Sequence, residues 1–282
     1  RIFLEDPTKE KLVHNLRDTW CLFQRHGITL NGVVDDLTLA SFLIDPNKLL
    51  PHRLDQIVKE YLHRTVDPLK RLIGSGKSAK KLADVPLADV AAWTCQLALA
   101  TAQAWPKIKK RLHEEGQADV MANLSMPMAY VLAKMQRCGI RVDKDDLEKM
   151  GEEFTERKEK VEGEIYELAG STFNIGSTKQ LATVLFEDLG LPVIKKTKTG
   201  YSTAADVLER LAKEHEIAKL ILRQRALAKL INTYTTVLKN AVSPEDGRVH
   251  CTFQQTTGVS GRLITTDPDL QRTPIRSEDG KR

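Results

Sequence analysis

The residues DGRVHCTFQQTTGVSGRLITTDPDLQRTPIRSEDG, Asp246 to Gly280, decide what kind of fold this chain has. They overlap a turn signal, Pro244-Glu245-Asp246-Gly247: proline presets φ, aspartate bonds to its own backbone, and glycine accepts positive φ. After it, His250 to Gln255 and Arg262 to Thr265 read as extended. Nearly everything upstream has helical spacing instead. Helices followed by strands at the end of the sequence predict an α+β fold, mostly helical here, whose sheet is only begun.

Upstream of that stretch, a helix is expected from Ile217 to about Asn240, with Leu220, Ile221, Leu227, Leu230, Tyr234 and Val237 inward. Ser202 or Thr203 should cap a shorter helix ending near Ala212. Lys195, Lys196, Thr197, Lys198, Thr199 and Gly200 form a basic loop too polar for core. Ser177 and Gln180 match the S-x-x-Q capping box, opening a helix that closes at Gly190. Asp143 can cap a long helix in which Leu147, Met150, Phe154, Val161, Ile165 and Leu168 recur at helical spacing up to Gly170. Its outer face, Glu152 to Lys160, reads as solvated charge. Met126, Tyr130 and Met135 lie on another helix, stopped near Cys138 and Gly139. The helix from Leu87 to about Ala104 is so apolar and alanine-rich that burial on more than one face is expected. Pro68 to Leu82 reads as a mobile surface loop.

With 282 residues, 41% hydrophobic and 29% charged, the chain can bury the core of one large or two modest domains. No run approaches a membrane span, and the N-terminal residues Arg1 to Asp6 have no secretory signal character, so a soluble intracellular protein is expected. Cys21, Cys95, Cys138 and Cys251 lie 74, 43 and 113 positions apart, which excludes a CxxC metal or redox pair. The net charge of +5 is unevenly placed: residues 1–170 carry 26 basic and 26 acidic side chains, residues 171–282 carry 17 and 12. Any polyanion footprint is therefore C-terminal.

Motifs for nucleotide, zinc-protease or serine-hydrolase chemistry are absent from the sequence, and no carboxylates pair along an extended strand as a two-metal site requires. No metal-ligating set is read. Asp35 and Asp36 are adjacent and diverge on any regular backbone, so they are expected to start the helix at Leu37. What remains is directed at phosphate: a capped helix start preceded by Asn174 and Gly176, the lysine loop, and an arginine in a small-residue strand.

The stretches FNIGSTKQL, LGLPVIKKTKTGYST, LAKLINTY and the opening quotation, together spanning Phe173 to the end, resemble the thumb and first palm segment of the family A DNA polymerases, the bacterial DNA polymerase I family. The spacing TGxxGRLxxxDPxLQ is highly specific. Met126 to Asp143 is similar to the start of the polymerase region, and FLEDPTKEKLVHNL with GITLNGVVDDLTLASFLIDP looks like the family's 3′-5′ exonuclease domain. The resemblance implies a partial ribonuclease-H-like exonuclease domain over 1–112, the polymerase start and helical thumb over 113–240, and a truncated first palm segment over 241–282.

Carried over, the resemblance implies that Asn174, Ser177, Thr178 and Lys179 hold the DNA backbone. It places Lys195, Lys196 and Lys198 at the thumb tip along the duplex minor groove, and Asn232, Thr233 and Tyr234 in a further backbone contact where Ile231 replaces the usual lysine. Arg262 would probe the minor groove at the primer terminus, where acceptors are common to all base pairs. Gln271 would lie near the template, beside Arg272 in place of the usual asparagine. The exonuclease pattern NLKYD appears as Asn15-Leu16-Arg17-Asp18-Thr19, which puts Thr19 at a metal-binding aspartate. The later YxxxxxD pattern falls on Trp93 and Leu99, so proofreading is expected to be lost and the domain kept as a scaffold.

The implied parent reaction is template-directed addition of deoxynucleotides to a primer 3′-OH with Mg2+ in the parent polymerase. No catalytic residue of that reaction is expected within 1–282, which reads as an internal piece with the rest of the palm and the fingers outside it. Expected partners are primer-template DNA and, through those other parts, deoxynucleoside triphosphates; the protein is expected to be a monomer in the bacterial cytoplasm, nucleoid-associated, with no membrane contact. The rival readings are a non-catalytic duplex DNA-binding fragment and an active 3′-5′ exonuclease, the latter opposed by Thr19 and Leu99.

Overall fold

The computed structural model describes residues 1–47, 52–197, 200–271 and 277–281; Lys198 and Arg272 thus lie outside the described residues. Packing divides the chain into two compact units, Arg1–Gly139 with His250–Gln271, and Ile140–Val249 with the described end of the chain. These cuts follow packing, whereas the boundaries at 112 and 240 concern family domains and stay a proposal.

The first unit runs α1 (Ile2–Glu5), β1 (Lys11–Val13), α2 (Leu16–Arg25), β2 (Val33–Asp36), α3 (Leu37–Ile44), α4 (Leu54–Leu62), α5 (Leu69–Ile73), α6 (Leu87–Glu114), α7 (Ala118–Val120) and α8 (Met126–Cys138). A π turn, Met121–Ser125, leads into α8. β1 and β2 pair in parallel with Val13 opposite Asp36, so the strand end delivers Asp36 to the start of α3, where it caps Thr38 and Leu39 as expected. Leu16, Leu37, Ile57, Ala100, Ala104 and Ile108 are fully buried in its core. Each large aliphatic side chain so buried is worth about 1.5–3 kcal/mol.

One expectation fails here. α6 packs by a single face, Ala100, Thr101, Ala104, Ile108 and Leu112, while Leu87 is 82% and Leu99 56% exposed and Ala88, Ala91, Ala92 and Ala98 also face outward. Alanine reports helix propensity, not burial, and a run of it imitates a buried helix. The loop Pro68 to Leu82 is also more ordered than its composition suggests, holding α5 and a 3₁₀ turn at Gly76–Ser78.

The second unit continues with β3 (Ile140–Arg141), α9 (Lys144–Ala169), α10 (Thr178–Thr183), β4 (Lys196–Thr197), β5 (Gly200–Tyr201), α11 (Ala205–Leu211), α12 (Glu216–Lys229), α13 (Thr236–Ala241) and β6 (Arg248–Val249). Asp143 Oδ1 accepts from the N–H groups of Asp145 and Asp146, both at 3.1 Å, and Gly170 ends α9 in the left-handed region at φ +69°. Phe154, Val161 and Ile165 meet Leu181, Leu185, Leu208 and Ile221 in the core, but Leu168, in the last turn, is exposed. On the outer face Arg157 grips Asp279 at 2.7 and 2.8 Å, so that face is not wholly solvated.

The helix expected through Asn240 is interrupted by a π turn, Leu230–Thr235. The wider turn holds an extra residue and rotates later side chains off the seam, so Val237 is exposed and not inward. Neither Ser202 nor Thr203 caps α11, whose N-cap is Ala204; both are buried, and Thr203 is taken by another helix. Back in the first unit, β7 (Thr252–Gln254) and β8 (Ile264–Thr266) pair antiparallel, Phe253 opposite Thr265, and the second unit closes with α14 (Glu278–Lys281). No helix among the described residues is long and apolar enough to cross a membrane.

Candidate nucleic-acid interface

The capping box at Ser177 forms in expanded shape. Ser177 Oγ accepts the Gln180 N–H at 3.4 Å, while Gln180 Oε1 reaches past Ser177 to the Asn174 N–H at 2.8 Å. Asn174 Oδ1 in turn accepts the Gly176 N–H at 2.9 Å, so that oxygen is spent on shaping the turn. Thr178 and Lys179, on the exposed side of that turn, line a groove of about 960 Å³ whose other wall holds Thr197, Tyr201 and Thr203. The lysine stretch is not a plain loop: β4 and β5 form a short hairpin with Lys196 opposite Tyr201. Lys196 Nζ lies 5.7 Å from the Tyr201 ring centre, and that ring packs at 5.4 Å on buried Phe186, which ties the hairpin to the core. Lys195 and Lys196 are exposed.

The floor of the groove holds a cation that periodicity and motif spacing do not reveal. Arg225 of α12 donates through Nη1 to Thr203 O at 2.6 Å and through Nη2 to Thr203 Oγ1 at 3.4 Å. Burial pulls its guanidinium below the ordinary value, although an arginine stays charged. Its partner is 22 positions away, so local sequence carried no sign of it. Two cations, Lys179 and Arg225, together with hydroxyls and against the single carboxylate of Glu187, suit a phosphate backbone.

The π turn presents Asn232 and Thr233 to solvent, whereas Tyr234 is only 8% exposed and belongs to the core. The adjoining groove, about 810 Å³, is lined by Glu148, Glu152, Glu153, Glu156 and Glu159, the wrong sign for a polyanion. Electrostatics thus separates the two grooves of this unit: the hairpin groove favours phosphate, and the groove lined by the α9 glutamates, which Asn232 and Thr233 do not line, opposes it.

In the first unit, Arg262 is exposed just before β8. The turn ahead of it is tight: Gly261 has φ +75°, and a Cβ at Gly258 would meet Arg262 O at 2.6 Å. Gln271 spends its amide on the strand, accepting the Thr265 N–H at 3.1 Å and donating to Leu263 O at 2.8 Å. It therefore braces the residue directly after Arg262.

The exonuclease-like positions are not brought together as a site. Thr19 Oγ1 donates to Asn15 O at 2.8 Å on its own helix. Asp18 is exposed and taken by Asn15 Nδ2 at 2.6 Å and by Arg17 at 2.8 Å. Trp93 Nε1 donates to Asp67 O at 2.8 Å, and Leu99 points outward. Asp36 accepts four backbone N–H groups, from Asn15, Leu16, Thr38 and Leu39 at 3.2, 2.5, 2.7 and 3.2 Å, which fill its lone pairs. Burial pushes its carboxyl up, against those donors. Among the described residues no three His, Cys, Asp or Glu side chains converge on a metal position.

Two family models match: DNA polymerase family A over residues 144–282, and the ribonuclease H-like domain of DNA polymerase I over residues 1–97. The chain is 41% identical to DNA polymerase I of Geobacillus stearothermophilus, with 99% of this chain and 32% of that protein covered. It is 38% identical to DNA polymerase I of Bacillus subtilis strain 168, with 99% and 31% covered. A solved structure, the POL domain of Pol1 from M. smegmatis in complex with DNA primer-template and dNTP, superposes with a TM-score of 0.85 at 32% identity, covering 99% of this chain and 45% of that one. The chain spans about a third of the length of the curated relatives it matches. With the two models matching over 1–97 and 144–282, and these relatives and the solved fold covering 99% of the chain, this chain belongs to family A of the DNA polymerases.

Proposed function

We propose that this chain grips the product duplex for a template-directed DNA polymerase, with the 282 residues supplying backbone contacts and a primer-end probe. The groove between Thr178–Lys179 and the β4–β5 hairpin, with Arg225 in its floor, carries this reading. Lys195 and Lys196 extend its positive edge, Lys198 joins them on the sequence resemblance alone, and Asn232 and Thr233 add polar groups on the π turn. Contacts to phosphate hold register without reading sequence, as a polymerase requires. Arg262 is the primer-end probe, and Gln271 keeps its strand in place. Partners on this reading are primer-template DNA and deoxynucleoside triphosphates, the ligands named for the M. smegmatis complex, and the working state is a cytoplasmic, nucleoid-associated monomer.

The magnesium ions of polymerisation do not fit the carboxylates described here: Asp36 is saturated by N–H donors, and Asp18 is paired with Arg17. No step is assigned through them. For the same reason the exonuclease-like positions Thr19, Trp93 and Leu99 are read as degenerate. Primer extension by the full-length protein with Arg262→Ala tests the assignment. Extension should slow, most from mismatched termini, with duplex affinity changed less than about twofold; equal extension from both termini at the unsubstituted rate removes the primer-end role.

A further inference from the structure

A polar cavity of about 30 Å³, close to the size of one water molecule, lies where α2 and α3 begin. Arg17, Asp36 and Thr38 line it on one side, and Gln254 at the end of β7 lines it on the other, together with Gln255 and Thr256. Arg17 is only 8% exposed, rare for arginine, and its guanidinium is clamped by Asp18 through Nε at 2.9 Å and Nη2 at 2.8 Å. Its backbone is equally fixed, because Asp36 holds the N–H groups of Asn15 and Leu16 immediately before it. Thr38 Oγ1 is buried without a hydrogen-bond partner among the described residues. On the other wall Gln255 Nε2 donates to Ser125 O at 3.0 Å, at the π turn before α8. A buried cation on a rigid mount therefore lines the same cavity as the end of the strand whose partner, β8, begins two positions after Arg262.

We propose that Arg17 is a positioning residue for the polymerase reaction: it sets the place of β7, and through the β7–β8 hairpin that of Arg262. The helix turn that resembles an exonuclease motif thus has a second use, as the platform of the palm hairpin. Arginine suits this use better than the lysine of the NLKYD pattern, since its planar fork can hold Asp18 while still facing the cavity. The proposal rests on the polymerase reading above.

The test uses the full-length protein with Arg17→Met, which keeps length and loses charge, Arg17→Lys, and Gln255→Ala, which changes the opposite wall without touching α2. Amide hydrogen exchange is measured in β7–β8 and in α12 as a control, beside kcat and KM for extension from matched and mismatched termini. Arg17→Met and Gln255→Ala should speed exchange in the hairpin by roughly tenfold and leave α12 unchanged. Extension kcat should fall several-fold with narrowed discrimination between termini, and Arg17→Lys should restore most of both. Unchanged hairpin exchange in Arg17→Met overturns the proposal whatever Gln255→Ala does, as does faster exchange with unaltered kcat and discrimination, which leaves Arg17 a purely structural part. Should Arg17→Met not fold, Arg17→Gln takes its place and is read in the same way. An unsubstituted protein that extends no primer overturns the polymerase reading and this role with it, and the exchange data separate that result from a failed hairpin contact.

Discussion

In the first unit the carboxylate of Asp36 is filled by four backbone N–H groups, Thr19 bonds its own helix, and Asp18 is locked to Arg17. In the second unit Lys179, Lys195 and Lys196 stand exposed, and no acidic side chain among the described residues pairs with them. Polar side chains are spent on architecture in the one set and remain available to a ligand in the other. The difference teaches that a motif position is informative only with its hydrogen bonds counted: a spent carboxylate cannot hold a metal ion, and an unspent ammonium can still meet a phosphate.

The largest expected effect sharpens the architectural side. Asp36→Ala leaves four backbone donors without their acceptor at a buried site, so urea denaturation should show a loss of about 3–5 kcal/mol from the first unit. A loss below about 1 kcal/mol would mean that the strand end and the helix starts hold without it. A smaller effect concerns His14, whose Nε2 is buried without a partner among the described residues and whose pKa burial lowers, the neighbouring Asp36 opposing. The unfolded chain takes up a proton at this histidine near the ordinary value of about 6.5, and the folded chain resists it. Stability should therefore be fully present above about pH 6.5 and decline as the pH falls below it, and His14→Gln should flatten that decline. A profile identical in the variant would place the proton uptake elsewhere. The smallest effect is no effect at all: Thr19→Asp should yield no 3′-5′ degradation of single-stranded DNA with magnesium, because one carboxylate on α2 finds no converging partners among the described residues. Measurable degradation would show that the exonuclease-like unit keeps a working site.

Much of this was legible in sequence where the signal is local. The Asp143 cap, the Gly170 stop and the Ser177–Gln180 box each need only a few neighbouring residues, and each is present in the structure. The specific run before Gln271 identified the family from residue types and spacing alone. What sequence hid depends on distant partners or on backbone geometry. Gln271 braces Leu263 and Thr265, and Arg225 grips Thr203 across a loop, neither of which periodicity can show. The π turn at Leu230–Thr235 has no residue signature here, so it moved Val237 off the seam unannounced. Alanine spacing in α6 overstated burial because it reports helix formation alone. Among the site residues, chemistry alone grouped Lys179 with the lysine hairpin before geometry put that helix turn and the hairpin on one groove. Helical spacing put Tyr234 inward, where its ring is buried, while the resemblance alone put it at a backbone contact.

The central claim is that duplex affinity is an electrostatic property of the hairpin side of the second unit. Duplex binding across a range of salt concentrations tests it most directly, comparing Lys195→Ala/Lys196→Ala/Lys198→Ala with a charge-matched set on the first unit, Lys59→Ala/Lys70→Ala/Lys80→Ala. The account predicts that the first set lowers the magnitude of the log–log salt slope by up to roughly three phosphate equivalents, and that the second leaves the slope where it was. Equal slopes for the two sets, or a larger change from the first-unit lysines, would contradict it.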